Sequence, residues 1–250
     1  MLERLEGSAV TSSTCSRLMD MTSWRSRERV DLVSGKGLAE ALTGVESVVD
    51  AASTPTPDEK AATEFFIAAA RNLHEAGKRA GVRRMIVVSI IGIDRFTSSY
   101  MVAKVAHEKA ALAGPIPARI LRAAQFHELV PPFIEWGTKG DVSYVPDLRS
   151  NFVAARVVGE QLAQLATDPR SAPAPAGAPP LEIAGPKRES MVELAKRLVE
   201  RRGDRLRIEK AINPDAAVFE TTVVPGPRAI LAGPTFDEWM DANVPSAQPR

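Results

Sequence analysis

From about Val30 onward the apolar positions alternate between the spacing of buried strands and that of helices. Residues 45–52 hold a compact apolar pair, Val48 and Val49, and end in small residues, as a buried strand does. Thr54-Pro55-Thr56-Pro57 then turns the chain. Ala62, Phe65, Phe66, Ala69, Leu73 and Ala76 follow at helical spacing and predict a helix to about Arg79. Thr56 is placed to cap it, with Pro57 at the first position and Asp58 and Glu59 where the helix dipole favours acids. Gly81 closes that helix, and Met85-Ile86-Val87-Val88-Ser89 reads as the next strand. The same rhythm predicts a helix over 99–113, a strand over 118–122, a short strand over 142–145 and a helix over 152–166. A short helix over 37–42, ended by Gly44, precedes them all. Strands alternating with helices in this way predict an α/β fold built on a parallel sheet.

Both ends of the chain read differently. Residues 1–29 are crowded with Ser, Thr and Arg and sustain neither period, so they are expected to be irregular and mobile, with no central strand. Residues 168–180 are rich in Pro, Ala and Gly and read as a flexible loop. Beyond it come a short strand over 181–184, an amphipathic helix from Glu189 to about Arg202 and a short helix over 236–240. The expected division is an irregular N-terminus, 1–29, a core, 30–167, and a small C-terminal lobe with the tail, 168–250.

Composition narrows the classes. Of 250 residues, 44% are hydrophobic and 25% charged, the balance of an ordinary globular protein. A net charge of +1 gives no reason to expect nucleic acid as a partner. The basic run Arg201, Arg202, Arg205, Arg207 and Lys210 is interrupted by Asp204 and Glu209 and reads as a solvated surface. No apolar run is long enough to span a membrane, and the first residues lack the apolar core of a signal peptide. With Cys15 as the single cysteine, no intrachain disulfide can form, and a cytoplasmic location is expected. His74, His107 and His127 show no metal-ligand spacing, and His107 and His127 are read as surface or packing residues.

One pair of residues suggests chemistry. Tyr100 and Lys104 are four apart on a predicted helix, so both lie on one face, one turn apart. A free phenol has a pKa near ~10, and a neighbouring ammonium would lower it toward the range useful for acid–base work. The same ammonium can hydrogen-bond ribose hydroxyls. Ser89, eleven residues earlier, stands at the carboxyl end of a strand, where parallel sheets place their ligand sites. A hydroxyl there can steady charge developing on a substrate carbonyl.

Several stretches in order resemble the NmrA-like, NAD(P)H-binding group of atypical short-chain dehydrogenase/reductases. They are residues 37–45 (Gly37 to Val45), Glu64-Phe65-Phe66 with Arg71-Asn72-Leu73, residues 86–95 (Ile86 to Arg95), Tyr100 with Lys104, and residues 120–126 (Ile120 to Phe126). The resemblance covers about residues 30–240. It implies a Rossmann-like parallel sheet with flanking helices, NAD or NADP as cofactor, and a small carbonyl or hydroxyl compound as substrate. By the same resemblance Tyr100 is the acid–base phenol, Lys104 its partner and a ribose ligand, and Ser89 orients the carbonyl. Asn72 matches the residue that holds a proton-relay water. Ala51, Ala52 and Ser53 would line the adenosine and ribose side of the cofactor, and Ala123, Gln125 and Phe126 the nicotinamide.

The resemblance also implies an opening strand and a glycine-rich turn that cradles the cofactor pyrophosphate. Residues 1–40 contain no such motif, since Gly7, Gly35 and Gly37 lack its spacing. The opening strand and glycine loop are therefore read as degenerate, leaving one edge of the strand at 46–51 bare and cofactor binding weak. A reading-frame shift upstream of Val30 would account for the abrupt start of the pattern. Two alternatives to an oxidoreductase stay open, a non-catalytic nucleotide sensor and an inactive product lacking the cofactor loop.

Overall fold

A computed structural model describes residues 2–5, 8–11, 30–56, 58–97, 99–168, 178–212 and 223–245, the first two stretches by their backbone. In chain order the elements are β1 (Leu2–Leu5), β2 (Ser8–Thr11), α1 (Leu38–Ala41), β3 (Ser47–Asp50), α2 (Glu59–Ala80), β4 (Arg84–Ile90), α3 (Ser99–Ala113), β5 (Ala118–Ala123), α4 (Val130–Gly137), β6 (Thr138–Lys139), β7 (Val142–Val145), β8 (Arg149–Ser150), α5 (Ala155–Thr167), β9 (Leu181–Ala184), β10 (Glu189–Ser190), α6 (Met191–Arg202), β11 (Arg207–Lys210), β12 (Ile230–Leu231) and α7 (Phe236–Asn243). They form two compact units, residues 1–122 with 160–181, and residues 123–159 with 182–250. The second unit thus takes in residues 123–159, which the sequence boundary at 167 assigns to the core.

In the first unit the sheet order is β1-β2-β3-β4-β5. Strands β2, β3 and β4 run parallel, and β1 pairs antiparallel with β2. With α2 and α3 as the crossovers, this is a Rossmann-like α/β fold. β3 is buried along its whole length. The reading of residues 1–29 as irregular is corrected for eight of them. β2 lies along β3, with Ala9 opposite Val48 and Val10 opposite Val49, so the edge that was expected to be bare is covered. The pairing is made by backbone groups, which a buried strand edge requires, and four residues are too few to register as a periodic pattern. The rest of that segment, residues 12–29 included, lies outside the described residues, as does 169–177 of the loop read as flexible.

Helix α2 begins two residues later than its turn sequence suggests. Asp58, not Thr56, is the cap: its Oδ1 accepts the Ala61 N–H at 2.7 Å, while the Thr56 hydroxyl accepts the Asp58 N–H at 3.2 Å. At the other end Gly81 adopts φ 83°, a left-handed turn that glycine enters without strain. Val82 N–H then reaches back to the Gly77 carbonyl at 2.9 Å and closes the helix. Ala62, Phe66, Ala69, Leu73 and Ala76 are all buried, so the apolar stripe read from the sequence is the packed face.

The second unit has its own core, in which Phe152, Leu194, Leu198, Phe236 and Met240 cluster. Strands β9 and β12 run parallel there, as do β7 and β11. Helix α4 escapes the sequence reading because Pro131 and Pro132 look like breakers; both fall in its first turn, where no N–H is needed. The basic run is paired at the surface: Arg201 with Asp241 at 3.0 Å, Arg207 with Glu209 at 3.1 Å and Lys210 with Asp147 at 2.9 Å. No helix among the described residues is long and apolar enough to cross a membrane.

Candidate functional site

The carboxyl end of β3 and one face of α3 bring the chemistry-bearing residues of the first unit together. On α3, Tyr100, Lys104 and His107 follow at steps of four and three and so share a face. Phe66 of α2 is the common floor beneath them. The Tyr100 ring meets it edge-on at 5.7 Å, the Lys104 ammonium sits 4.7 Å from its centre, and the His107 imidazole stacks on it at 4.7 Å. The chain leaving β3 holds both ends of this row. Ser53 Oγ lies 3.0 Å from the Tyr100 hydroxyl, and Asp50 Oδ2 lies 2.9 Å from His107 Nε2.

Lys104 is 4% exposed. Its Nζ donates to the Val88 carbonyl at 2.9 Å and to His107 Nδ1 at 2.9 Å. An ammonium only donates, so Nδ1 accepts, the imidazole hydrogen sits on Nε2, and Nε2 donates to the Asp50 carboxylate. Asp50 is fully buried, and its second oxygen accepts the Ala52 N–H at 2.9 Å. Burial pushes the Asp50 carboxyl upward, but His107, the Ala52 amide and Lys104 outweigh it and hold the group below the usual carboxylate range. Burial dominates at Lys104 and lowers its pKa from 10.5 to about 8, while Asp50 and Glu108 oppose that shift.

Tyr100 departs from expectation. Burial raises its pKa above the ordinary phenol value, and the hydrogen bond from Ser53 only partly offsets this. The predicted lowering by Lys104 does not occur, because the ammonium is tied to the Val88 carbonyl and His107. Tyr100 is thus a neutral phenol at physiological pH. Ser89, near the carboxyl end of β4, is 1% exposed, and its Oγ has no hydrogen-bond partner among the described residues. A buried hydroxyl without a partner carries a desolvation cost that a bound polar group would remove.

Asn72, on α2, holds a neighbouring turn. Its amide donates to the Leu32 carbonyl at 2.9 Å and the Val33 carbonyl at 2.7 Å, so both hydrogens anchor the turn at 31–36. With both amide hydrogens engaged at the turn, the water-relay role that the resemblance implies would fall to the Asn72 Oδ1, which can accept from a water. Ala51 and Ser53 are half-buried and Ala52 is buried, all just beyond β3. Ala123, Gln125 and Phe126 lie in the second unit. There Gln125 accepts the Val153 N–H at 2.9 Å, and Phe126 bridges to Val153 in parallel fashion.

His107 and Asp50 are the site residues that sequence reasoning missed. The signal for His107 was its spacing, one face with Tyr100 and Lys104. The signal for Asp50 was a carboxylate closing a strand otherwise made of Ser and Val. His74 also proves internal: Nε2 donates to the Ala111 carbonyl at 2.9 Å, and Nδ1 accepts the Ile116 N–H at 3.3 Å.

A nicotinamide cofactor has a matching donor set here, tested at the ribose and nicotinamide end. Ser53, Tyr100 and the third Lys104 hydrogen supply hydroxyl and ammonium groups, and the unpartnered Ser89 hydroxyl supplies another. The segment after β2, where a pyrophosphate cradle would form, lies outside the described residues. Among the described residues no group of His, Cys, Asp and Glu is arranged to hold a metal ion.

Residues 25–126 match a family profile described as NAD(P)H-binding. Among curated protein sequences none matches this chain. Solved structures share the fold at low identity. Bordetella bronchiseptica WbmH in complex with NAD+ is 16% identical over 84% of this chain and 74% of its own, with a TM-score of 0.56. A nucleoside-diphosphate-sugar epimerase from Staphylococcus aureus is 16% identical over 88% and 80%, with a TM-score of 0.54. The Escherichia coli NADPH-dependent quinone oxidoreductase QOR2 complexed with NADPH is 19% identical over 75% of this chain and 62% of its own, with a TM-score of 0.52. Residues 25–126 are thus similar to an NAD(P)H-binding domain, and the solved structures share the Rossmann-like fold.

Proposed function

We propose that the protein is an NAD(P)-dependent oxidoreductase of the NmrA-like kind, which reduces a small carbonyl compound with Tyr100 as the proton donor. The observation that carries this reading is the neutral, half-buried Tyr100 phenol, steadied by Ser53 at 3.0 Å and one turn from the buried Lys104. A phenol held above its ordinary pKa keeps its proton until a stronger base develops beside it, and a carbonyl oxygen gaining charge is such a base. In this reading Ser89 donates to the same oxygen. When bound, the nicotinamide supplies the hydride. The chain's own residues position the carbonyl, deliver the proton and hold compensating charge at Lys104.

Oxidation of NADH and of NADPH against a panel of small aldehydes, ketones and quinones tests the reading. Turnover by the parent and a loss of about 100-fold or more in kcat for Tyr100→Phe are expected, with the fold unchanged by circular dichroism. Equal turnover by the two proteins would remove Tyr100 from the chemistry. A second reading, a sensor that binds one redox form without turnover, is favoured by Lys104 spending two of its three hydrogens inside the fold. Preferential binding of one redox form, with no carbonyl consumed, would decide for it.

A further inference from the structure

The buried row from Lys104 through His107 to Asp50 lies beyond the Tyr-x-x-x-Lys pair and has no counterpart in the roles assigned above. All three side chains are at most 4% exposed, and each joint is a 2.9 Å hydrogen bond. We propose that His107, oriented by Asp50, is a positioning residue for Lys104: the pair keeps the ammonium protonated and aimed inside the fold. The proposal rests on the oxidoreductase reading for its catalytic consequence, but its geometry stands without it.

The charge arithmetic supports this arrangement. With His107 neutral, the row contains one ammonium and one carboxylate and is neutral as a whole. The imidazole passes the influence of the carboxylate to the ammonium while satisfying a donor on one side and an acceptor on the other. Removing one proton from Lys104 leaves a net charge of −1 in a buried place, which favours its return. In a reduction, the Tyr100 O–H bond breaks as the substrate oxygen takes the proton. Hydride from the bound nicotinamide joins the carbonyl carbon in the same reduction, and solvent restores the Tyr100 proton once product has left, with Lys104 supplying only fixed positive charge.

The charged neighbours on each packed element are few. Glu108 on α3 also faces Lys104, but it is engaged by Arg122 of β5 through both carboxylate oxygens at 2.9 Å, with Asp94 on the same guanidinium at 2.7 Å. Tyr100 shares the α3 face. β4 offers the Val88 carbonyl, and α2 offers Phe66 and, near Asp50, His74. Asp50 is therefore the carboxylate whose influence reaches Lys104 through a hydrogen-bonded link.

The test uses the full chain and three variants. Asp50→Asn keeps the shape and removes the charge. His107→Gln keeps one acceptor and one donor at a similar span, and His107→Leu removes both. Titration of the lysine Nζ by NMR on lysine-labelled protein reads Lys104 directly, with Lys104→Met identifying its signal. In Asp50→Asn the Lys104 ammonium is expected to lose its proton at least one pH unit below the parent, and His107→Leu should behave likewise if it folds. His107→Gln should stay within half a unit. Where turnover is measurable, the alkaline limb of the kcat profile should move down with the NMR midpoint in Asp50→Asn. His107→Gln should retain kcat within threefold. An unmoved Lys104 midpoint in Asp50→Asn would overturn the proposal. So would a His107→Gln enzyme that folds but loses tenfold or more in kcat, since the histidine would then carry the proton itself. If the parent turns over no carbonyl, the oxidoreductase reading fails and the NMR midpoint alone decides this one.

Discussion

Helices α2 and α3 form the walls of the site, and His74 ties them together, so a small perturbation at that tie tests the packing argument. The perturbation is Gly114→Ala. A Cβ at Gly114 would fall on Cδ2, Nε2 and Cγ of His74, far inside van der Waals contact. The imidazole cannot swing aside freely, because it donates to the Ala111 carbonyl and accepts the Ile116 N–H. Overpacking of this kind costs about 1–3 kcal/mol, and releasing a buried polar group from its partner costs a similar amount, so a loss of about 2–5 kcal/mol is expected. Urea unfolding followed by circular dichroism measures it. The paired control is His74→Ala, alone and with Gly114→Ala. Without the ring the added methyl has little to strike, so the double variant should be no more than about 1 kcal/mol below His74→Ala, which is strong non-additivity. A Gly114→Ala protein within about 1 kcal/mol of the parent would refute the claim that His74 is rigidly held, as would simple additivity of the two changes.

Two further outcomes follow from the same groups. Asn72→Ala should leave the Leu32 and Val33 carbonyls without their donor, loosening the turn at 31–36 and costing about 1–3 kcal/mol, with any carbonyl turnover reduced less than tenfold; a hundredfold loss of kcat in a stable variant would place Asn72 in the chemistry. Acid should destabilise the fold before the carboxylates titrate. Burial lowers the pKa of His74 and of His127, outweighing the hydrogen bonds and carboxylates that raise them, so both are neutral in the fold and take up protons more readily when unfolded. Their contribution is complete above the unfolded value near ~6.5 and is lost as pH falls through the folded values, so the urea midpoint should drop between pH 7.5 and pH 5; a flat profile over that interval would contradict the assignment.

The parallel core was legible because its signals are local and repeated. The buried strand at Val48 and Val49, the stripe from Ala62 to Ala76 and the glycine stop at Gly81 each follow from spacing alone. What escaped was set by pairing across the chain. β2 is defined by lying against β3, and a four-residue strand carries no period of its own. Helix α4 was hidden by two prolines whose effect depends on their position in the turn. At the site, the Tyr100–Lys104 spacing was readable, but what each side chain bonds to was not. Asn72 matched a relay residue by position, yet its amide faces two carbonyls forty and thirty-nine residues away in sequence. His107 looked like a packing histidine until Asp50, fifty-seven residues earlier, came within 2.9 Å of it.

The sign of the Tyr100 shift bears on which way the chemistry runs. Sequence spacing places an ammonium one turn from the phenol and suggests a phenolate ready to take a proton. In the fold that ammonium is directed at the Val88 carbonyl and at His107, and the balancing carboxylate, Asp50, lies on the far side of the imidazole. Burial then dominates at Tyr100 and favours the neutral form. On the reading proposed above, a neutral phenol is the resting state of a proton donor and suits addition of hydride and proton to a carbonyl better than their removal from an alcohol. Oxidation would need the opposite starting state, a phenolate, and Lys104, the cation one turn away on α3, is already engaged with Val88 and His107. The arrangement that holds Lys104 inside the fold is therefore also the one that biases Tyr100 toward giving its proton away.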